Sequence, residues 1–150
     1  MQMKKRAAYY LKMRHHKGGG SCGGCHGTVA QITDRAFNIG LEPSTLNGMP
    51  DEGSGNGMFK VPSLRNIAVS APYMHDDRFD SLVEVIEHYN SGVQDQPDLA
   101  QQLRHPVSND PMRLNMSDQE KLQLETFLNT LTDETFLSSE LFSDPFNAKH

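Results

Sequence analysis

Apolar residues recur with helical spacing at two places in the second half of the chain. In the first segment Ser81 can cap a helix that Gly92 ends, and in the second Ser117 and Glu120 form a capping-box pair. The apolar positions are Leu82, Val85, Ile86 and Tyr89 in the first segment, and Leu124, Phe127, Leu128 and Leu131 in the second. These one-sided stripes predict two amphipathic helices that pack against a shared core.

Three weaker patterns predict shorter helical segments. Residues 3–14 form a first helix that the glycines at 18–20 end, and its apolar contacts come from Ala7, Tyr10, Leu11 and Met13. A short helix is expected over 63–70, with Pro62 introducing it because proline suits a first helical position. One further turn of helix is expected over 99–103.

The segments between these helices are dense in helix- and strand-breaking residues. Residues 34–60 contain seven glycines and prolines, which predicts one long loop. Residues 93–116 form a polar, proline-containing connection, and the tail after Asp133 is weakly patterned. Because the chain shows no strand-like alternation and no internal repeat, the pattern indicates an all-α domain with long irregular loops.

Length and charge narrow the class of protein. The chain has 150 residues, a net charge of −5 and a pI of about 5.7, which suits a single domain and gives no reason to expect nucleic-acid binding. No stretch is long and apolar enough to span a membrane. Residues 1–17 are basic but lack the apolar run of a signal peptide.

The segment Cys22-Gly23-Gly24-Cys25-His26 carries the most specific chemistry in the chain. The pattern C-x-x-C-H is the attachment site of a c-type haem: the two thiols add to the two vinyl groups of one porphyrin, and the histidine then binds the iron. The motif uses both cysteines of the chain. One covalent haem c is therefore predicted, with His26 as an axial ligand.

Three other uses of the cysteines compete with this interpretation. A disulfide across a two-residue loop would stabilise the fold little, since its entropic effect grows with loop length. A thioredoxin-like redox pair would need a βαβ pattern, which is missing from the sequence. A zinc site could recruit His15 and His16, but two adjacent histidines do not have the usual spacing of zinc ligands.

A covalent haem has consequences for compartment and ligation. Such haems are attached outside the cytoplasmic membrane, so a periplasmic or otherwise extracytoplasmic location is expected. A methionine or histidine at the sixth iron position favours electron transfer, whereas an open position admits peroxide. Eight methionines and seven histidines compete for that position, and their number alone does not select one.

Four ordered motifs identify a family resemblance. They are Phe59-Lys60-Val61-Pro62-Ser63-Leu64-Arg65-Asn66, the run Ala71-Pro72-Tyr73-Met74-His75-Asp76-Asp77-Arg78-Phe79, the segment from Leu82 to Gly92, and Phe127-Leu128-Asn129-Thr130-Leu131-Thr132. Over residues 20–136 the chain resembles the C-terminal haem domain of bacterial di-haem cytochrome c peroxidases, a family that includes the methylamine-dehydrogenase maturation enzymes. The resemblance implies a cytochrome c-like fold whose long loops wrap one covalent haem. It also suggests a division into an N-terminal helix with a glycine-rich lead-in (1–20), a haem domain (21–136) and a tail (137–150).

The resemblance also suggests which residues bind the cofactor. Met74, 48 residues after His26, corresponds to the family's methionine ligand, and its neighbour His75 is the rival. Arg65, with Asn66 beside it, could hold a haem propionate through charge-assisted hydrogen bonds, or Arg65 could instead be a helix-terminal or surface charge. The pocket is expected to be lined by Phe37, Pro62, Leu64, Tyr73 and Phe79. His88, like His15 and His16, is expected at the surface.

One position departs from the family pattern. Asp77 stands where the family has glycine, which costs some strain if the backbone there has a positive φ.

Two functions follow from these residues. The first is electron transfer through a single haem with His26 and Met74 as ligands, in exchange with a small redox protein of the cytochrome or cupredoxin type or with a second haem domain. The second is peroxide reduction, with this chain as a fragment or subunit of a peroxidase. The chain has one C-x-x-C-H motif and no tryptophan to bridge two haems, which favours the first function.

Overall fold

The structure is a computed structural model that describes residues 22–46, 49–143 and 146. The helix predicted over 3–14, and with it His15 and His16, lies outside the described residues. The α-helices are α1 (Cys22–Cys25), α2 (Leu82–Glu87), α3 (Asp118–Asn129) and α4 (Glu134–Leu137). Short 3-10 turns lie at Ile67–Val69, Gln101–Leu103 and Glu140–Phe142, and a π-helical turn follows α2 at His88–Gly92.

Two small antiparallel sheets modify the all-α prediction. Strand β1 (Ala36–Phe37) pairs with β4 (Phe59–Lys60), and β2 (Thr45–Leu46) pairs with β3 (Met49–Pro50). Strands of two residues are too short to leave an alternating pattern of apolar and polar residues, so the sequence could not reveal them. The described chain is therefore helix-rich with two minor sheets rather than purely helical.

Helix α2 begins where the sequence predicts. The Ser81 side chain accepts a hydrogen bond from the Glu84 backbone N–H, and the Glu84 carboxylate accepts from the Ser81 N–H, so the N-terminus carries a complete capping box. Leu82 and Ile86 are buried on one face. The helix then continues as a π-helical turn as far as Gly92, the residue expected to end it.

Helix α3 confirms the second prediction. Ser117 and Glu120 form its capping box. The helix packs on α2, and Lys121 on α3 forms an ion pair with Glu87 on α2 at 3.1 Å. The core between them consists of Tyr73, Leu82, Ile86, Met116, Leu124 and Leu128, with Phe127 and Leu131 partly buried against it.

Two of the weaker predictions need correction. The helix expected over 63–70 is only the 3-10 turn at Ile67–Val69, because Asn66 has a left-handed backbone with φ 57° that an α-helix cannot contain. Pro62 is therefore not a first helical position. The tail after Asp133 is more regular than expected, since the Asp133 side chain caps α4 by accepting from the Phe136 N–H.

The long loop at 34–60 is held in place by buried Asn38. Its Nδ2 donates to the Asn56 carbonyl at 2.9 Å and to Gln96 Oε1 at 2.7 Å, and its Oδ1 accepts from the Gly40 N–H at 2.8 Å. The Asn38 carbonyl accepts from the Ala100 N–H at 2.9 Å. One buried amide thus joins the loop to the connection at 93–116.

Candidate haem-binding site

The two cysteines occupy a single turn of helix. Helix α1 runs from Cys22 to Cys25, and the His26 N–H donates to the Cys22 carbonyl at 2.8 Å. A Cβ atom on Gly27 would lie 2.3 Å from the Gly23 carbonyl oxygen, so only glycine fits after the histidine. The turn therefore presents both thiols and the imidazole from five consecutive residues, as attachment to one porphyrin requires.

The imidazole of His26 is oriented by the backbone that follows it. Its Nδ1 lies 3.0 Å from the Gln31 carbonyl oxygen, which can only accept, so Nδ1 carries the proton and donates. Burial is the largest effect on this group and lowers the pKa of His26. The carbonyls of Gln31 and Pro62 both hydrogen-bond the ring and oppose this lowering of the pKa, so two backbone segments orient the imidazole. Neutral imidazole is the form in which a histidine binds a metal.

The thiols lie in surroundings that keep them protonated. Burial raises the pKa of Cys22 to about 11 and also raises the pKa of Cys25. Tyr89, in the π-helical turn after α2, lies near both thiols: burial raises the pKa of its phenol, and the neighbouring Cys22 and Cys25 raise it further. Gln102 packs against Gly24 on another side of the turn. Segments distant in sequence therefore contact the motif, which stays partly exposed at Gly24 and Gly27.

The segment containing Met74 forms a tight loop closed by backbone hydrogen bonds. Tyr73 and Phe79 pair across its base, with the Tyr73 N–H donating to the Phe79 carbonyl at 2.7 Å. Met74 is half-buried and has a φ of 74°, an uncommon conformation for a residue other than glycine. Such strain is concentrated at functional sites in proteins.

His75, the rival ligand, is already engaged elsewhere. Its ring stacks on Phe59 with centroids 3.6 Å apart and an interplanar angle of 11°. Its Nε2 lies 3.1 Å from the Ser44 hydroxyl oxygen. Because the His75 ring already contacts Phe59 and Ser44, Met74 is the better candidate of the two for the sixth iron ligand.

The departure from the family pattern falls on a strained position. Asp77 has a φ of 57°, so the position has the left-handed backbone that glycine adopts most easily. Aspartate is among the residues that tolerate this region best. On either side of it, Asp76 and Arg78 form an ion pair, and Arg78 donates to the Glu42 carbonyl at 2.8 Å.

The other predicted site residues are spread over the surrounding segments. Arg65 is exposed, and its guanidinium donates to the Val29 carbonyl at 3.2 Å, just beyond the haem motif. The Asn66 side-chain oxygen accepts from the Asp133 N–H at 2.7 Å and so holds the start of α4. The predicted pocket residues divide into Tyr73, Leu64 and Phe79 in or against the core, Phe37 in β1, and exposed Pro62.

His88 differs from its predicted surface position. It is buried, its Nε2 lies 3.0 Å from the Ile39 carbonyl oxygen, and its ring contacts Tyr89 edge-on. Its burial depends on contacts with Ile39 and Tyr89 around the π-helical turn, which the sequence does not show. Among the described residues no group of three histidine, cysteine or acidic side chains could hold a metal ion.

The residues present fit a haem c. The motif turn supplies two thiols and an oriented imidazole, and the amide oxygen of Gln31 beside it is buried with no hydrogen-bond partner. Gln31, Gln102, Gly27 and Tyr89 were not identified from the sequence. Gly27 directly follows the motif and Gln31 lies five residues after His26, so both are near it in the sequence, whereas Gln102 and Tyr89 reach it only through the tertiary fold.

Comparison with known proteins identifies the relatives. The chain is 32% identical over 122 residues to the methylamine utilization protein MauG of Methylorubrum extorquens, a match that covers 78% of this chain and 32% of that protein. It is 36% identical over 76 residues to the cytochrome-c peroxidase IdrP1 of a Pseudomonas species, covering 51% of this chain and 18% of the peroxidase. This chain belongs to the MauG and di-haem cytochrome c peroxidase family. No family model matches the sequence.

A solved structure supports the same relationship. The crystal structure of a MauG-like protein associated with microbial copper homeostasis matches 97% of this chain with a TM-score of 0.69 and 30% identity, and the match covers 51% of that protein. The chain thus spans about a third of the length of the MauG protein it matches and about half of this structural neighbour. No helix among the described residues is long and apolar enough to cross a membrane.

Proposed function

We propose that this chain is an electron-transfer domain that carries one covalent haem c, and that it corresponds to the C-terminal haem domain of its family. The observation that carries the proposal is the α1 turn, where Cys22 and Cys25 precede an imidazole whose Nδ1 donates to the Gln31 carbonyl. When bound, the haem supplies a one-electron couple. His26 would hold its iron, and Cys22 and Cys25 would anchor the porphyrin.

Met74 is proposed as the sixth ligand. It lies in a strained, hydrogen-bonded loop, while the neighbouring imidazole of His75 is occupied by Phe59 and Ser44. A thioether is a neutral, polarizable donor and raises the reduction potential of a haem. Met/His ligation therefore suits a domain that relays electrons at high potential.

The proposed partners and location follow from this chemistry. Electrons would pass between the haem and either a small redox protein of the cytochrome or cupredoxin type or a second haem domain. Since haem c is attached outside the cytoplasmic membrane, the domain is proposed to work in the periplasm or another extracytoplasmic space.

The first prediction tests covalent attachment. Protein made with a haem c maturation system should retain its haem through denaturation and acid–acetone extraction, because two thioether bonds hold it. A variant with both Cys22→Ala and Cys25→Ala should release all haem into the acetone phase under the same treatment. Complete loss of haem from the unsubstituted protein would exclude the c-type assignment.

A second candidate function rests on the length of the relatives. Because the chain covers only 18% of the cytochrome-c peroxidase it matches, it could be one part of an enzyme that reduces hydrogen peroxide with electrons from a small redox protein. Cleavage of the O–O bond needs an open iron position, a proton donor and a source of a second electron. The proposed single haem with both axial positions filled supplies none of these.

The second prediction separates the two functions. In stopped-flow mixing with hydrogen peroxide, the reduced holoprotein should oxidise slowly and show no saturable turnover with an electron donor. Exchange with a small redox protein should be fast under the same conditions. Rapid, saturable peroxide turnover by a protein that retains its six-coordinate spectrum would instead favour the peroxidase function.

A further inference from the structure

We propose that the side-chain amide of Gln31 hydrogen-bonds a propionate of the haem. The inference rests on the proposed function, because it requires a haem c on the Cys22–His26 turn. It adds a cofactor contact that neither the motif nor the family resemblance indicates. Its support comes from the backbone, the burial and the neighbours of Gln31.

The backbone of Gln31 lies directly beside the iron-binding imidazole. Its carbonyl oxygen accepts from His26 Nδ1 at 3.0 Å, and its N–H donates to the Thr28 carbonyl at 2.9 Å. The residue has a φ of 58°, a strained conformation for glutamine. The Thr28 hydroxyl donates to the Ile32 carbonyl at 2.6 Å, which closes the turn around Gln31. The side chain therefore starts from a fixed point next to the proposed cofactor.

The side chain itself is incompletely satisfied. Among the buried side-chain nitrogen and oxygen atoms of the described residues, Gln31 Oε1 is the one with no hydrogen-bond partner. Leaving such a group unpaired is destabilising, and folded proteins contain few of them. A polar atom at this place therefore calls for a partner that the polypeptide does not supply.

The chemistry of haem c restricts what that partner can be. The periphery of the macrocycle is apolar except for its two propionates, which accept hydrogen bonds when ionised. The oxygen and nitrogen of a glutamine amide are exchanged by rotating the group, so the same end of Gln31 can present an NH₂ donor. Donation from this NH₂ to a propionate satisfies both groups.

The neighbouring residues place a second donor at the same loop. Arg65 donates to the Val29 carbonyl at 3.2 Å, and the Ser63 hydroxyl donates to the Ala30 carbonyl at 2.9 Å. The guanidinium predicted to bind a propionate is thus held against residues that directly precede Gln31. The Gln31 amide and the guanidinium of Arg65, which contacts the same loop from another segment, form a donor set suited to a carboxylate.

Loss of this hydrogen bond should change the pKa of the haem propionate, whose ionisation is coupled to reduction of the iron. A donated hydrogen bond stabilises the ionised propionate and lowers its pKa, so removing the donor raises that pKa. A hydrogen bond to a charged group contributes about 1.5–3 kcal/mol, which corresponds to a rise of about one to two pH units. The pH range over which the reduction potential depends on pH should move upward by that amount.

The test is a potentiometric titration of the holoprotein at pH values from acid to alkaline. Gln31→Leu removes the amide, and Gln31→Asn keeps an amide that is too short to reach while suiting the positive φ better than leucine. Both variants should shift the redox-linked ionisation upward and move the propionate bending band in the resonance Raman spectrum. Gln123→Leu, a matched change at a partly buried glutamine in α3, should leave both unchanged.

The outcomes separate this inference from the proposed function. An unchanged ionisation and an unchanged Raman band in both Gln31 variants would overturn the propionate contact while leaving the haem domain intact. An equal shift in Gln123→Leu would overturn it as well, since the effect would then not be specific to Gln31. Absence of haem from the unsubstituted protein after acid–acetone extraction would instead overturn the proposed function, before any titration is made.

Discussion

Met74→Ala should lower the reduction potential of the holoprotein by on the order of 100 mV or more, because the axial ligands set haem potentials over a range of about 0.8 V. Loss of the thioether removes the donor that favours reduced iron. The iron should become high-spin or bind water, and the weak methionine-to-iron absorption band near the red edge of the spectrum should disappear. Spectroelectrochemistry of the purified protein measures both effects in one experiment.

His75→Ala is the matched control for this substitution. It removes the stack on Phe59 and the contact with Ser44, so it should reduce stability while the spectrum and ligation stay as they are. The opposite behaviour, in which His75→Ala loses the sixth ligand and Met74→Ala keeps it, would identify the imidazole of His75 as the sixth iron ligand.

Gly27→Ala should abolish most haem attachment. The added methyl group would lie 2.3 Å from the Gly23 carbonyl oxygen, and relief of that clash requires the motif turn to change shape. Overpacking of this kind costs about 1–3 kcal/mol, so the population of chains with the motif turn formed, and with it haem attachment, should fall by about fivefold or more. The ratio of haem to protein after purification gives the result, and the melting temperature should fall by about 2 to 10 °C.

Gly24→Ala provides the control within the same motif. Its Cβ would meet the Gln102 side chain at 3.1 Å, and a side chain can move where a backbone carbonyl cannot. Haem attachment should therefore remain close to that of the unsubstituted protein. Equal loss in the two variants would indicate that the motif needs glycine at both positions for flexibility rather than to avoid the contact with Gly23.

Local patterns in the sequence determined the elements whose stabilising contacts are themselves local. Capping boxes, apolar stripes and the C-x-x-C-H motif each act within a few residues, so the starts of α2 and α3 and the motif turn could be predicted. The two-residue strands could not be predicted, because their pairing partners are distant in the chain. The helix expected over 63–70 does not form, because the backbone of Asn66 takes a left-handed conformation. Hydrogen bonds with Leu131 and Asp133 hold Asn66 in place.

The same division applies to the site. The sequence alone proposed Cys22, Cys25 and His26 as haem-binding residues, because covalent attachment requires a fixed local spacing, and the family resemblance proposed Met74. Only the tertiary structure brought Tyr89 and Gln102 to the motif turn, buried His88, and engaged His75 with Phe59 and Ser44. Those contacts join segments that lie far apart in the chain, and their geometry depends on how the segments pack, which no local pattern of residues encodes.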